Sequence, residues 1–442
     1  MGSGTLKFLH CADLHLDSPF SGLSDVSSSL GAFLRRATFS AFENAVSYAL
    51  RNAVDLFLIS GDVYDGEDRS IRAQSFFLDQ LKRLSDAGIP SFLVHGNHDP
   101  LSGWELDRDL PHLAFRFGAE VESLPLTVRG ERVGTVHGCS FGERDVGENL
   151  ALRFAGCRGE GVNIALLHCN VGGRKGHENY APCSIDDLRA AGMDYWALGH
   201  VHAAEVLSHD PMIVYPGNIQ GRHVGETGKK GVFCGTLALG GGPGKVSSQA
   251  AAGRGSLEFV PCDAVRWRKE TLSIEGMQRD EEFFVALERL KESVRGDGAG
   301  RPVLLRVAVS GRGKLHALLR RPGLLAGAGG VAETLNESEE GRGDFVHIES
   351  IVDTTAPPFD METLTSGDHF VGDFLKEIAA FERSGAMKDG LMDILAVKGV
   401  REKLSGEVFA RLDSLSDEQI SALLRKGAAL ALAGLLEGED DE

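Results

Sequence analysis

The sequence predicts an α/β domain built on central sheets, followed by a small α+β module and a helical C-terminal region. Three observations carry this. Over roughly the first 235 residues, short apolar runs alternate with helical patterns. Several of those runs end directly in a glycine turn, as at Gly61-Asp62, Gly96-Asn97 and Gly199-His200. After about Glu270 the texture shifts to charge-rich segments.

In chain order, Leu6–Cys11 reads as a strand and Leu30–Asn52 as an amphipathic helix. Leu56–Ile59 contains no polar side chain, as a strand buried on both faces requires. Ala73–Ala87 is a second helix, and Ser91–Val94, Val133–Val136, Asn163–Leu167, Trp196–Leu198 and Met212–Tyr215 are further strands. VFCGTLAL and LEFV flank the low-complexity stretch Gly240–Ser256, which reads as a disordered hairpin loop. Beyond it, Asp280–Val294 reads as a helix, Pro302–Ser310 as a strand, Lys314–Leu319 as a helix and Phe345–Val352 as a strand. Leu325–Arg342 is rich in Gly and Glu and is expected to be loop. From about Asp368 to Leu436 the pattern is helical, with apolar stripes at Leu391–Val400 and Ile420–Leu436, and Glu437–Glu442 is a solvated acidic tail. The expected domains are 1–270, 271–362 and 363–442.

Bulk properties narrow the function. The 442 residues exceed one ordinary domain of roughly 150. An apolar content of 42% can build a sizeable core. A net charge of −18 argues against a basic nucleic-acid coat, although a metal-rich cleft can be locally positive on an acidic protein. The seven cysteines include no C-x-x-C pair, which fits a reduced, cytoplasmic protein. The N-terminus lacks a signal-peptide pattern, and no apolar run reaches the roughly 18 residues of a membrane span. Gly244-Lys245 is followed by Val246, so no P-loop is present.

The chemistry-bearing residues lie at strand ends. Asp13 and His15 are two apart after the first strand, so alternation turns both to one side. Asp62 follows a buried strand and a glycine, where its two carboxylate oxygens can bridge two ions. Asn97 offers a neutral oxygen, and the adjacent His98 can face a substrate. His168 ends a strand, and His200 and His202 again stand two apart. Each has an ordinary reading alone: Asp62 as a helix cap, His168 as a structural histidine. Together, Asp13, His15, Asp62, Asn97, His168, His200 and His202 are seven ligands of types that suit divalent transition metals. Two ions about 3.5–4 Å apart clamp the attacking and leaving oxygens of a phosphoryl displacement.

This ordered series resembles the calcineurin-like metallophosphoesterase superfamily. The segments DLHLDSPFSGL, HENYAPCSIDDL, DYWALGHVH and YPGNIQGRH resemble more narrowly its DNA-repair exonuclease branch of YhaO/SbcD type. The resemblance implies a two-sheet β-sandwich flanked by helices, with a smaller α+β cap and C-terminal helices. It implies two divalent ions, Mn2+ in that branch: one on Asp13, His15, Asp62 and His202, the other on Asp62, Asn97, His168 and His200. His98 would act on the scissile phosphate. It also implies DNA as substrate, an SbcC/YhaN-type coiled-coil ATPase as partner, and a dimer. Asp65 stands where archaeal and eukaryotic repair nucleases carry a second histidine. It is expected to accept a hydrogen bond from the His98 ring.

Arg222 and His223, close to the metal segment, are expected phosphate contacts, and His177 a further substrate contact. His137 reads more readily as a structural histidine, Lys229-Lys230 as a solvated turn, and Trp104, Trp267, Cys11 and Cys169 as packing residues. Three functions stay open: a DNA exonuclease or endonuclease, a phosphatase or phosphodiesterase of small esters, and a non-catalytic repair subunit. The complete ligand set counts against the last.

Overall fold

A computed structural model describes residues 4–23, 28–66, 70–103, 106, 108–174, 178–239, 255–327, 329–358, 364, 370–383, 390 and 414–437. The strands β1 (Thr5–Cys11), β2 (Leu56–Ser60), β3 (Ser91–Val94) and β4 (Ala114–Arg116) run parallel. The antiparallel pair β11 (Gly231–Ala238) and β12 (Gly255–Pro261) extends them, giving the order β12-β11-β1-β2-β3-β4. A second six-stranded sheet has the order β5-β6-β7-β8-β10-β9. It comprises β5 (Glu122–Val128), β6 (Glu131–Cys139), β7 (Val162–His168), β8 (Tyr195–Gly199), β9 (Glu205–His209) and β10 (Met212–Tyr215).

Alternation along these strands explains the layers. Leu6, Phe8, Leu56 and Leu58 pack with Ile164, Leu166, Tyr195 and Ala197 between the sheets. Their neighbours Leu9, Phe57 and Ile59 point outward onto α1 (Ser28–Arg51) and α2 (Ile71–Asp86), against Phe42, Val46, Phe77 and Leu81. Ala165, Leu167, Trp196 and Leu198 form the corresponding outer layer of the second sheet. Each large side chain buried in this way contributes about 1.5–3 kcal/mol. The inward register also carries His10, Ser60 and His168 toward one inter-sheet end.

This is the two-sheet sandwich flanked by helices that the sequence led us to expect, with three strands added. β5, whose Pro125 is tolerated on an edge, was obscured by its polar residues, as was the edge strand β9. β4 is too short to show a period. The expected hairpin is present. Gly255 and Ser256 already belong to β12, and the rest of the expected loop, 240–254, lies outside the described residues.

The chain forms two compact units: Met1–Lys269 with Val294–Arg306 and Glu339–Glu349, and Glu270–Ser293 with Val307–Ser338 and Ser350–Glu442. In the first, Trp267 is fully buried with Leu34, Val265 and Leu304, and Phe345 stacks edge-on against Phe33. In the second, part of Leu325–Arg342 is not loop but a helix, Val331–Glu337. Val331 and Leu335 bury one face of it, and Lys291 Nζ donates to the Leu335 carbonyl at 2.8 Å and to Ser338 Oγ at 3.2 Å. Helices Phe370–Arg383 and Asp417–Glu437 follow, with Arg425 paired to Glu382. The stripe expected at Leu391–Val400 lies outside the described residues, as do Trp104 and the tail beyond Glu437. Among the described residues no helix is long and apolar enough to cross a membrane.

Candidate metal centre

The chain past β1 runs beside the chain past β2. Asp13 N donates to the Gly61 carbonyl (3.1 Å), His15 N to that of Asp62 (3.0 Å) and Leu16 N to that of Val63 (2.9 Å). Asp13, His15 and Asp62 are thereby locked in register. Asp13, His15, Asp62 and His200 all adopt left-handed backbone, with φ of 50°, 42°, 50° and 101°. Such geometry costs about 1–3 kcal/mol per residue and persists only where the surroundings enforce it. Close approach also dictates two glycines: a Cβ at Gly96 would overlap Asp62 Oδ1, and one at Gly199 would overlap the Ser60 carbonyl.

The hydrogen bonds assign the ring tautomers. His15 Nδ1 donates to Asp65 Oδ1 (3.0 Å) and His202 Nδ1 to Glu226 Oε1 (2.5 Å). Their Nε2 atoms, left with lone pairs, face each other at 3.2 Å. His168 Nδ1 donates to the Ser60 carbonyl (2.9 Å), which aims its Nε2 at Asn97 Oδ1 (3.1 Å) and Asp62 Oδ2 (3.3 Å). His200 Nε2 donates to the Glu178 carbonyl (2.8 Å), leaving Nδ1 as its lone-pair nitrogen. Lone pairs converging on lone pairs are repulsive unless positive charge lies between them. Burial disfavours a charged His168 ring, yet the Asp62 carboxylate, together with Asp13 and the Ser60 carbonyl, outweighs it and lifts the pKa to about 9. The pocket thus favours a cation, and its carboxylate, imidazole and amide donors suit a divalent transition metal.

Ligand atoms of Asp13, His15 and His202 lie within 4.8 Å of one another, as do those of Asp13, Asp62 and His168. His200 joins them, its backbone N–H donating to Asp13 Oδ1 (3.1 Å) and its ring lying 5.3 Å from that of His168. A third group, His15, Asp65 and His98, differs. There Asp65 Oδ1 already faces the Nδ1 atoms of both rings, at 3.0 and 2.8 Å, so its charge is met by N–H donors.

His98 is the outward-facing member. Its side chain is 38% exposed, against 1% for His15 and 0% for His168. Its hydrogen bond to Asp65 raises its pKa, and its backbone N–H donates to Asp62 Oδ1 (3.0 Å). Although burial opposes it, the hydrogen bonds from His15 and His98 hold Asp65 well below the usual carboxylate range. Asp65 therefore orients two rings, where the sequence suggested one.

Arg222 NH1 is committed to Asp65 Oδ2 (2.5 Å), which also accepts from Ser18 Oγ. His223 is half-exposed, with Nε2 3.5 Å from Glu226 Oε1. His177 lies outside the described residues. His137 is buried between Ser123 Oγ and Asn163 Oδ1, and Cys11 and Cys169 are buried. Lys230 is not in a solvated turn: it is buried, with Nζ donating to the His202 carbonyl (2.7 Å). Glu226 escaped the sequence reading because nothing in its neighbourhood links it to His202.

The profile described as calcineurin-like phosphoesterase matches residues 6–204. The chain is 32% identical to the uncharacterized metallophosphoesterase YhaO of Bacillus subtilis, over 87% of this chain and 89% of that protein. This chain is a calcineurin-like metallophosphoesterase. The profile of the YhaO middle domain matches residues 267–356 of the phosphoesterase. It is also 27% identical over 46% of its length to the DNA double-strand break repair protein Mre11 of Sulfurisphaera tokodaii, and 28% identical over 51% to that of Aeropyrum pernix. It spans about half of each Mre11 relative, 51% and 56%. The family is one of hydrolases.

Proposed function

We propose that this metallophosphoesterase is a Mn2+-dependent nuclease that cleaves DNA phosphodiesters and works with an SbcC/YhaN-type coiled-coil ATPase. The observation that carries the reading is the outward-facing His98, held by Asp65 beside a buried set of cation ligands, in a chain related to proteins named for DNA double-strand break repair. Asp13, His15, Asp62 and His202 would hold one ion, and Asp62, Asn97, His168 and His200 the other. Bound divalent ions supply an activated water and neutralise charge on the phosphoryl oxygens. The protein's own contribution is orientation. Asp65 keeps His98 Nδ1–H directed inward, so Nε2 faces the substrate and, once protonated, donates to a phosphoryl or leaving oxygen. The ring's raised proton affinity supports that role. With a net charge of −18, the chain gains from a partner that contributes basic surface for DNA.

The same acidic balance favours, as a second reading, a phosphodiesterase of small esters. One assay separates them: Mn2+-dependent hydrolysis of linear double- and single-stranded DNA and of bis(p-nitrophenyl) phosphate, with His98→Ala as control. DNA cleavage lost in the control is expected. Turnover of the small ester alone would overturn the nuclease.

A further inference from the structure

The turn Arg222–Glu226 touches both sides of the metal centre. One carboxylate, Glu226, accepts from His202 Nδ1 through Oε1 (2.5 Å) and from the Arg222 backbone N–H through Oε2 (2.7 Å). Glu226 N donates to the His223 carbonyl (2.9 Å), closing the turn on itself. The Arg222 side chain leaves in the other direction, with NH1 on Asp65 Oδ2 (2.5 Å). The remaining oxygen of Asp65 faces His15 and His98. Glu226 is 7% exposed, so its charge is well desolvated and its hydrogen bonds are directional and strong. At the opposite edge of the same segment, Lys230 Nζ holds the His202 carbonyl.

We infer that Arg222 and Glu226 form a positioning clamp. Glu226 fixes the tautomer and direction of the ligand His202, while Arg222 pins Asp65 and, through it, the rings of His15 and His98. Both act through other residues. The hydrogen-bond path runs His202–Glu226–Arg222–Asp65–His98, joining a ligand of the second sheet to the phosphate-facing histidine of the first. Carboxylates that orient a ligating imidazole are worth about 10–100-fold in metal affinity. Arg222 serves the phosphate only indirectly, since Asp65 offsets its charge.

The inference rests on the metal-dependent reading above, and the full-length chain tests the two separately. Mn2+ binding is titrated calorimetrically without DNA for the wild type, Glu226→Gln and Glu226→Ala. The expected order of affinity at one site is wild type, then Gln, whose amide oxygen still accepts, then Ala, about 10–100-fold weaker than wild type. Wild-type affinity in both variants overturns the clamp. Should the Ala variant fail to fold, the Gln variant decides, and affinity equal to wild type overturns it. A wild type that binds no Mn2+ sinks the parent reading instead. Arg222 is tested by a double-mutant cycle with Asp65→Asn, reading kcat and KM on bis(p-nitrophenyl) phosphate. A positioning role makes Arg222→Gln costly alone, chiefly in kcat, and nearly neutral when Asp65 is already Asn. Multiplicative losses, or a loss confined to KM, assign Arg222 to the substrate and overturn the inference.

Discussion

The two sheets contribute to the centre by different physical means. On the first-sheet side, the main chain sets the positions of Asp13, His15 and Asp62, and Asp65 then turns the His15 ring. The segments past β1 and β2 are hydrogen-bonded in register, and the Asp99 carboxylate gathers the N–H groups of Asp62 (3.2 Å), Val63 (2.8 Å) and Gly96 (2.7 Å). On the second-sheet side, His168, His200 and His202 are held by what their rings donate to: the carbonyls of Ser60 and Glu178 and the carboxylate of Glu226. The first mode fixes position, with left-handed backbone at Asp13, His15 and Asp62, a geometry that His200 shares on the other side. The second fixes tautomer and ring direction through partners far away in sequence. A substitution in the scaffold behind the first side should therefore be felt in folding stability, and one in the ring partners of the second side in metal affinity.

His98 breaks the comparison most sharply, because it sits on the first side without belonging to the buried ligand set. His98→Ala should lower kcat by about 10²–10⁴-fold, the usual range for a lost proton donor. Mn2+ content, measured by elemental analysis, should stay at the wild-type value. A metal-depleted variant would place His98 among the ligands. Asp99→Ala tests the backbone mode itself. Three N–H donors around a fully buried carboxylate lose their acceptor, and we expect a loss of about 3 kcal/mol in chemical denaturation. A stability change under about 0.5 kcal/mol would show that the register holds without Asp99, leaving the backbone account without its anchor.

The same division explains what could be read from sequence. Asp62, Asn97, His98 and His200 were legible because strand, glycine and polar residue follow one another along the chain, and Asp13, His15, His168 and His202 because they stand at or just past a strand end. Nearly the whole sandwich was legible for a related reason, since its inner strands are predominantly apolar. Glu226, Lys230 and the Ser60 and Glu178 carbonyls were not legible. Each reaches its histidine across 22 residues or more, and a carbonyl carries no side-chain identity at all. The edge strands β5 and β9 and the helix Val331–Glu337 escaped because few of their residues are buried.

The two sides meet at His10, which extends the comparison to the floor of the sandwich. His10 belongs to β1, yet its Nδ1 lies 2.9 Å from Tyr195 Oη of β8 and its Nε2 3.1 Å from Ser60 Oγ, whose own O–H goes to the Ala197 carbonyl. The ring is fully buried, and desolvation lowers its pKa from 6.5 to about 3. The fold therefore prefers the neutral ring, whereas the unfolded chain takes up a proton near pH 6.5. Stability from this group is fully present above that pH and is lost as pH falls from 6.5 toward 3. At pH 5 the loss is about 2 kcal/mol relative to pH 7.5, the smallest of these effects. Urea denaturation of the metal-free chain at the two pH values measures it, and repeating both in His10→Gln isolates it. Gln keeps one donor and one acceptor but cannot titrate, so the difference between the two pH values should shrink by that amount. An unchanged difference would mean that the acid sensitivity lies in other groups, and that burial of the His10 ring does not set it.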